Sequence, residues 1–289
     1  MFGYGYGFGK QRGGGSETLI TPTLPQSANI VRAYSLRRLI DAYKKGVAII
    51  SKTQEVGGET QNSYLKTGLI DISGADARIA ALYDQMGGGD SKRLIQSTYS
   101  LTPAVYLSGA LRKGMTWETQ STSTNLQIAN PDTTVESAFA GSFTLCCWFY
   151  LAANGTKTIF RRAKASAGGG SGNWLIYTGT NSILMQIANS SAVTFGSCAY
   201  AGSWSCVVLV IDRVANSYKM YFNGQPHATT STIPTASAGS DISMTIGGSL
   251  AAGVEAINDI ALWNIALTDS QVSDAYNAMQ PYYIDVAVR

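Results

Sequence analysis

From Asn125 onward the chain is a succession of short apolar or β-branched runs, set about ten residues apart and separated by Gly, Ser and Asn. Runs of this length suit strands and are too short for the amphipathic helices of a bundle. The stretches Phe143–Leu151, Lys157–Arg161, Asn173–Thr178, Ser182–Ile187, Trp204–Asp212, Ser217–Asn223, Asp241–Gly247 and Asn258–Asn264 read as strands. Strands at that spacing predict an all-β antiparallel sandwich. One helix is expected in this half. It starts at Thr268, which makes a capping box with Gln271, and runs through Val272 and Tyr276. The apolar tail Ile284–Val288 reads as a last edge strand.

The part before Asn125 is more mixed. Leu36, Leu39, Ile40 and Tyr43 recur at helical spacing, predicting a short helix from about Ser35 to Lys45 that Gly46 stops. Val47–Lys52 is a β-branched run. Further strands are expected near Tyr64–Ile70, Arg78–Tyr83, Lys92–Gln96 and Ala104–Leu107. Residues 1–15, MFGYGYGFGKQRGGG, alternate Phe2, Tyr4, Tyr6 and Phe8 with glycine, so an extended arm carries four aromatics on one face. Glycine is costly to order, so this ribbon is either a loose tail or an anchor held by a partner chain. Anchoring is the favoured reading. With a linker over 16–29, the expected division is an arm at 1–29 and one extended sandwich at 30–289, its first strands within 30–120 and its core within 121–289.

Only 13% of the 289 residues are charged, about half the usual share. Such a surface is built from hydroxyls and amides. The net charge of +3 is too small to imply nucleic acid, and the 14 basic and 9 acidic residues up to Asn125 are scattered rather than striped. No apolar stretch approaches a membrane span, and residues 1–15 lack the apolar core of a signal peptide. Cys146 and Cys147 are adjacent in one apolar run and must face opposite ways on a strand, while Cys198 and Cys206 meet only if the intervening chain registers suitably. Reduced, partly buried thiols are favoured, as in a cytoplasmic assembly.

Two resemblances follow from quoted residues. SFTLCCWFYL (142–151), SWSCVVLVIDRVANSYKMYFNGQPH (203–227), MTIGGS (244–249) and INDIALWNIALTDSQVSDAYN (257–277) together resemble the strands, central hairpin and closing helix of laminin-G/concanavalin A-like jelly rolls. The match runs over about residues 120–280 in the family's order. AYSLRRLIDAYKKGVAII and LYDQMGGGDSKRL, within about residues 33–111, resemble the opening of the α-L-arabinofuranosidase catalytic jelly roll. Tyr83, Asp84, Gln85, Gly87 and Gly89 match that family's run, and Met86, Gly88 and Asp90 depart from it. Modules of this kind also occur in bacteriophage virion proteins. The resemblances imply a concanavalin A-like sandwich with a few short helices, and a virion protein assembled in the host cytoplasm.

The residues argue against catalysis. Glycoside hydrolysis needs two carboxyl groups about 5–10 Å apart across the sugar. The six glutamates (17, 55, 59, 118, 136 and 255) never pair at alternate strand positions. Asp84 is most simply the cap of a Gly-rich turn. His227 is the only histidine and follows an Asn-Gly turn, which suits a structural role. GGGSG (168–172) is not followed by Lys-Ser/Thr, so it is a loop and not a phosphate cradle. No cofactor is expected. Laminin-G-like domains often hold calcium at a rim, which makes Asn258 and Asp259, with Asp212 or Asp241 nearby, weak candidates; a solvated turn is the simpler reading.

Sugars stack on aromatic rings beside a few polar groups. Trp148, Trp204 and Trp263 sit in apolar strands and are expected in the core. Trp174, Tyr177, Trp117 and Tyr200 are the candidate glycan-binding surface residues. The leading expectation is therefore a phage structural protein of head or tail, held by its arm to other virion proteins and displaying a glycan- or receptor-facing sandwich. Repeated copies, as in a homo-oligomer such as a trimer, would give weak sites avidity. An arabinofuranosidase-like enzyme and a purely structural decoration or connector protein are the alternatives.

Overall fold

The structure is a computed structural model, and it describes residues 22–35, 39, 48–52, 60–63, 65–66, 69–70, 77–86, 92, 94–95, 103–107, 110–116, 126–128, 133–164, 174–187, 193–230, 233, 242–246 and 256–284. The arm at 1–15, most of the expected helix over 35–45, Trp117, Asp241 and the tail after Ile284 lie outside them.

The first strands are β1 (Ile30–Tyr34), β2 (Ala48–Lys52), β3 (Thr60–Ser63), β4 (Leu65–Lys66), β5 (Leu69–Ile70), β6 (Ala77–Leu82), β7 (Leu94–Ile95), β8 (Ala104–Leu107), β9 (Ala110–Thr116) and β10 (Leu126–Ile128). Helix α1 (Thr133–Ala140) leads into β11 (Phe143–Leu151), β12 (Lys157–Lys164), β13 (Trp174–Thr178), β14 (Ile183–Ile187), β15 (Val193–Phe195) and β16 (Ser203–Asp212). The chain continues through β17 (Ser217–Phe222), β18 (Gln225–Thr230), β19 (Ile242–Ile246), β20 (Ala256–Trp263), α2 (Asp269–Met279) and α3 (Pro281–Ile284). All the ladders between these strands are antiparallel; β1, β9, β10, β15, β18 and α1 lie outside the expected elements, and the last element differs in kind. Helix α1 buries Val135, Ala138 and Phe139 at three- and four-residue spacing. Ile284 ends a helix and not an edge strand.

The strands form two layers. One sheet runs β20–β11–β16–β17–β18, with β1 and β9 pairing along the other side of β20. The second runs β7–β10–β19–β12–β13–β14–β15. Strands β2, β3, β6 and β8 bridge the layers, because β6 pairs with β7 and with β8, and β8 with β9. The beginning of the chain thus extends the same sandwich.

Between the layers lies the main core. Leu145, Cys147, Phe149, Val207, Leu209 and Ile257 of the first sheet meet Phe160, Trp174, Ile176, Met185 and Ile246 of the second. A second apolar cluster covers the opposite face of the first sheet. There Cys146, Trp148, Cys206, Val208 and Trp263 pack against Val272, Ala275 and Met279 of α2, Tyr283 of α3, and Leu24, Ile30 and Leu39. Cys146 and Cys147 do face opposite ways, and all four cysteines are free and buried.

Local chemistry fixes the register. Asn223 (φ 50°) and Gly224 (φ 77°) both occupy the left-handed region, as a two-residue hairpin turn of the Asn-Gly kind requires. The Asn223 side chain accepts a hydrogen bond from the Cys206 amide at 2.8 Å, so the turn is also tied to β16. Helix α2 begins with the expected reciprocal capping box of Thr268 and Gln271.

Candidate functional site

The two sheets expose different surfaces. Along β13, Trp174 and Ile176 enter the core while Leu175, itself buried, and Tyr177 lie on the opposite face; on β14, Ile183 and Met185 enter the core while Leu184 and Gln186 lie on the opposite face. Register places Tyr177 between Thr158 of β12 and Leu184 of β14, and Leu175 between Arg161 and Gln186. Leu184 lies opposite Thr194, and Arg161 opposite Thr245. Arg161 and Gln186 therefore sit one pleat repeat, about 7 Å, along the strands from the Tyr177 ring. Arg161, Tyr177, Leu184 and Gln186 are half-buried and Thr194 is exposed. Partial burial raises the Tyr177 phenol above its ordinary value, so the ring is neutral at physiological pH. The arrangement combines one aromatic face with a guanidinium, an amide and a hydroxyl, the set that can stack on a pyranose ring and bond to its hydroxyls.

Of the four candidate aromatics, Tyr177 alone is described on this surface. The expectation that Trp174 and Tyr200 stand on the surface is corrected. Trp174 is 1% exposed and packs edge-on against Phe143, with ring centroids 4.9 Å apart. Its strand alternation places it inward, one residue out of phase with Tyr177. Tyr200 is fully buried, and its hydroxyl donates to the Gly179 carbonyl, clamping the turn between β13 and β14. Trp148 and Trp263 are in the core as expected, but Trp204 is only half-buried. Trp204 faces Tyr150 directly across β11–β16, with centroids 6.0 Å apart, and its ring also approaches Tyr283 at 4.9 Å. A Cβ on Gly114 would stand 2.5 Å from this indole, so the ring lies against bare backbone. The signal missed was position, since Trp204 opens its strand beside exposed Gly202 and Ser203.

The candidate polar residues are mostly structural. Asp84 is 3% exposed; its Oδ1 accepts from the Ala33 and Met86 amides, both at 3.1 Å, and its Oδ2 lies 3.4 Å from Arg32. It caps its turn as the sequence suggests, and also fastens β6 to β1. Asn258 and Asp259 are fully buried at a bulge of β20, where Asp259 has φ 41°. The Ser35 hydroxyl lies 3.1 Å from Asn258 Oδ1 and 2.5 Å from Asp259 Oδ1. Calcium takes six to eight oxygens, and no group of three His, Cys, Asp or Glu able to hold a metal occurs among the described residues. The Ser35 hydroxyl, the Asn258 amide oxygen and the Asp259 carboxylate are engaged with one another at this bulge. Asp212 accepts from the Val214 and Ala215 amides at 3.0 Å each, within its own turn.

One contact had no forewarning in sequence. Cys198 Sγ lies 3.2 Å from His227 Nε2. Burial pushes the Cys198 thiol up to about 11, so it is protonated at neutral pH and is no thiolate nucleophile.

A family model described as the concanavalin A-like lectin/glucanases superfamily matches residues 120–273, more than half of the chain. The chain belongs to that superfamily. The fold, a mostly antiparallel β-sandwich with a few short helices, is the one its strand pattern predicts. Among solved structures, a GH54 α-L-arabinofuranosidase soaked with a cyclic sulfate inhibitor superposes with a TM-score of 0.61 at 12% identity, over 88% of this superfamily member and 63% of that enzyme. Trypanosoma rangeli sialidase in complex with sialic acid gives 0.55 at 12% identity, over 93% of this chain but only 37% of that one. The CBM40 of Ruminococcus gnavus IT-sialidase, bound to α2,3-sialyllactose, gives 0.42 at 14% identity, over 50% and 90%. The chain thus spans about a third of the trypanosomal sialidase and less than two thirds of the arabinofuranosidase. No curated protein matches it in sequence.

Proposed function

We propose that this chain is a non-catalytic glycan-binding module, held on a bacteriophage particle by its aromatic and glycine-rich arm. The observation that carries the glycan reading is the outward face of β12–β14, where Tyr177 stands beside Arg161 and Gln186 on a sheet whose other face is core. Membership of the concanavalin A-like lectin/glucanases superfamily supports it. The non-catalytic part rests on the aspartates. Asp84, Asp212 and Asp259 each bond within a turn, a strand junction or a bulge, and none is presented as an acid–nucleophile pair. The virion reading rests on the alternating arm and on the phage modules that the sequence resembles. Repeated copies in a homo-oligomer would turn weak sites into firm attachment.

A glycan array with the purified protein, followed by titration of the best sugar, tests the binding surface. Tyr177→Ala is expected to weaken binding at least tenfold, about 1.4 kcal/mol, while the protein stays folded. Loss on Trp204→Ala with Tyr177→Ala unaffected would move the site to the other sheet. A blank array would favour a purely structural role, and release of arabinose from arabinan would replace the binding reading with an enzymatic one. Deleting residues 1–15 should abolish incorporation into particles without unfolding the sandwich.

A further inference from the structure

Cys146 and Cys206 are both fully buried, and their Sγ atoms lie 3.7 Å apart. The contact crosses β11–β16 on a diagonal. Cys146 is opposite Val208 and Cys206 is opposite Trp148, so the two sulfurs share the face covered by α2 and α3. Cys147, although adjacent in sequence, enters the inter-sheet core on the opposite face. Cys198 is engaged with His227 beyond β15. The fold therefore sorts four thiols into one contacting pair and two that cannot replace either member.

We propose that Cys146 and Cys206 form a redox pair, reduced as the chain folds and joined as an inter-strand disulfide when a small-molecule disulfide such as glutathione disulfide reaches them. The exchange balances in two steps. One cysteine thiolate attacks a sulfur of the oxidant, breaking its S–S bond, releasing one glutathione and leaving a mixed disulfide on the protein. The other cysteine thiolate attacks the protein-side sulfur of that bond and releases the second glutathione. Two cysteine thiols are oxidised, one glutathione disulfide is reduced to two thiols, and the two cysteine protons end on them. Diagonal neighbours on paired strands stand about 7–8 Å apart, beyond the usual disulfide span of about 4.4–6.8 Å between Cα atoms, so side-chain rotation together with a backbone shift of the strands must bring the sulfurs to the bonded length of about 2.05 Å. Both sulfurs lie beneath the helix layer, where burial pushes the Cys206 thiol well above its ordinary value, so the oxidant enters and the thiolate forms when that layer opens locally. The bond would join the two central strands and close a loop across 60 positions of sequence, restricting the unfolded chain. Such a chain folds with free thiols in a reducing compartment and is locked on reaching an oxidising one. This inference rests on the sulfur geometry and stands apart from the glycan reading.

The test incubates the purified full-length chain with glutathione disulfide, with and without mild urea to open the helix layer. Acid quenching, alkylation and peptide mass mapping follow. The expected result is the loss of two thiols, a single 146–206 linkage reversed by dithiothreitol, and a raised thermal midpoint for the oxidised form. Cys146→Ala and Cys206→Ala should each abolish the linkage, whereas Cys147→Ala and Cys198→Ala should keep it. Four alkylatable thiols under both conditions, a linkage through Cys147 or Cys198, or a mixed disulfide that never resolves would each overturn the proposal. The wild-type map decides alone if an alanine variant fails to fold.

Discussion

In β20 every residue from Ala256 to Trp263 is buried, whereas Tyr177 of β13 and Leu184 and Gln186 of β14 are half-buried on the face turned from the core. All three strands belong to one sandwich, but the first sheet is covered twice, by its partner sheet and by the helix layer. A strand covered on both sides is selected for apolar bulk at each position and reads as a continuous run such as FTLCCWFYL. A strand covered once keeps alternate positions available for chemistry. The contrast separates the residues that hold the molecule together from those that can meet a ligand, although both groups are aromatic.

Substitution can break this contrast most sharply at Trp148 and Tyr177. Trp148 is 2% exposed and stacks between Tyr283 at 4.0 Å and Tyr276 at 5.5 Å. Trp148→Ala should cost about 3–5 kcal/mol, read as a loss in denaturant midpoint. Tyr177→Ala should cost less than about 1 kcal/mol, as a substitution at the protein surface. Similar costs at both positions would mean that the outward face is structural as well. The next largest effect is expected where the helix layer meets the hairpin. Gly224 has φ 77°, and a Cβ there would lie 2.5 Å from the Tyr276 ring. Gly224→Ala should therefore destabilise by roughly 1–3 kcal/mol through backbone strain and collision. An unchanged thermal midpoint would show that α2 is held only loosely against the first sheet.

The sequence made the twice-covered half easy to read. Strand β11 matches its expected span at both ends, and β16 and β17 differ from theirs by one residue, because long apolar runs and Asn-Gly turns are local signals. The capping box at Thr268 is local too. What escaped depends on long-range register. Strands β1 and β10 are short and carry no strong alternation; each exists because a partner, β20 or β19, supplies its ladder. Helix α1 was hidden because its apolar stripe is only Val135, Ala138 and Phe139. The same reason divides the candidate site. Tyr177 and Trp174 are both aromatic residues after one glycine-rich loop, and only the phase of β13 against the core tells the surface ring from the buried one. Trp204 shows the converse, an aromatic in an apolar run whose strand end reaches solvent. The Arg32–Asp84 pair and the Cys146–Cys206 contact join residues 52 and 60 positions apart, beyond any local pattern.

Smaller effects sharpen how the helix layer is attached. Thr268→Ala removes the side chain that accepts from the Gln271 amide at 3.3 Å and should cost about 1 kcal/mol. A helical circular-dichroism signal lost before the sheet melts would show that α2 unfolds as a separate unit.

The smallest expected effect is electrostatic and concerns the first residue of that helix. Asp269 Oδ1 accepts from Lys219 Nζ at 2.8 Å and from the Tyr221 hydroxyl at 2.7 Å, both on β17. The Lys219 hydrogen bond and then the Tyr221 hydrogen bond hold its carboxyl below the ordinary value, against a partial opposing effect of burial. A carboxyl whose folded value is depressed adds stability that is complete above its unfolded value of 3.8 and is lost as the pH falls through the folded value. The side chain of Asp269 is 60% exposed and that of Lys219 40%, so solvent and salt screen most of the attraction. The stability difference between the natural chain and Asp269→Asn should therefore be small and constant near neutral pH, shrink only below about pH 4, and diminish in high salt. Thermal melts of both proteins across that range measure it. A difference that instead grows as the pH falls would reverse the sign and show that Asp269 strains the junction between α2 and β17.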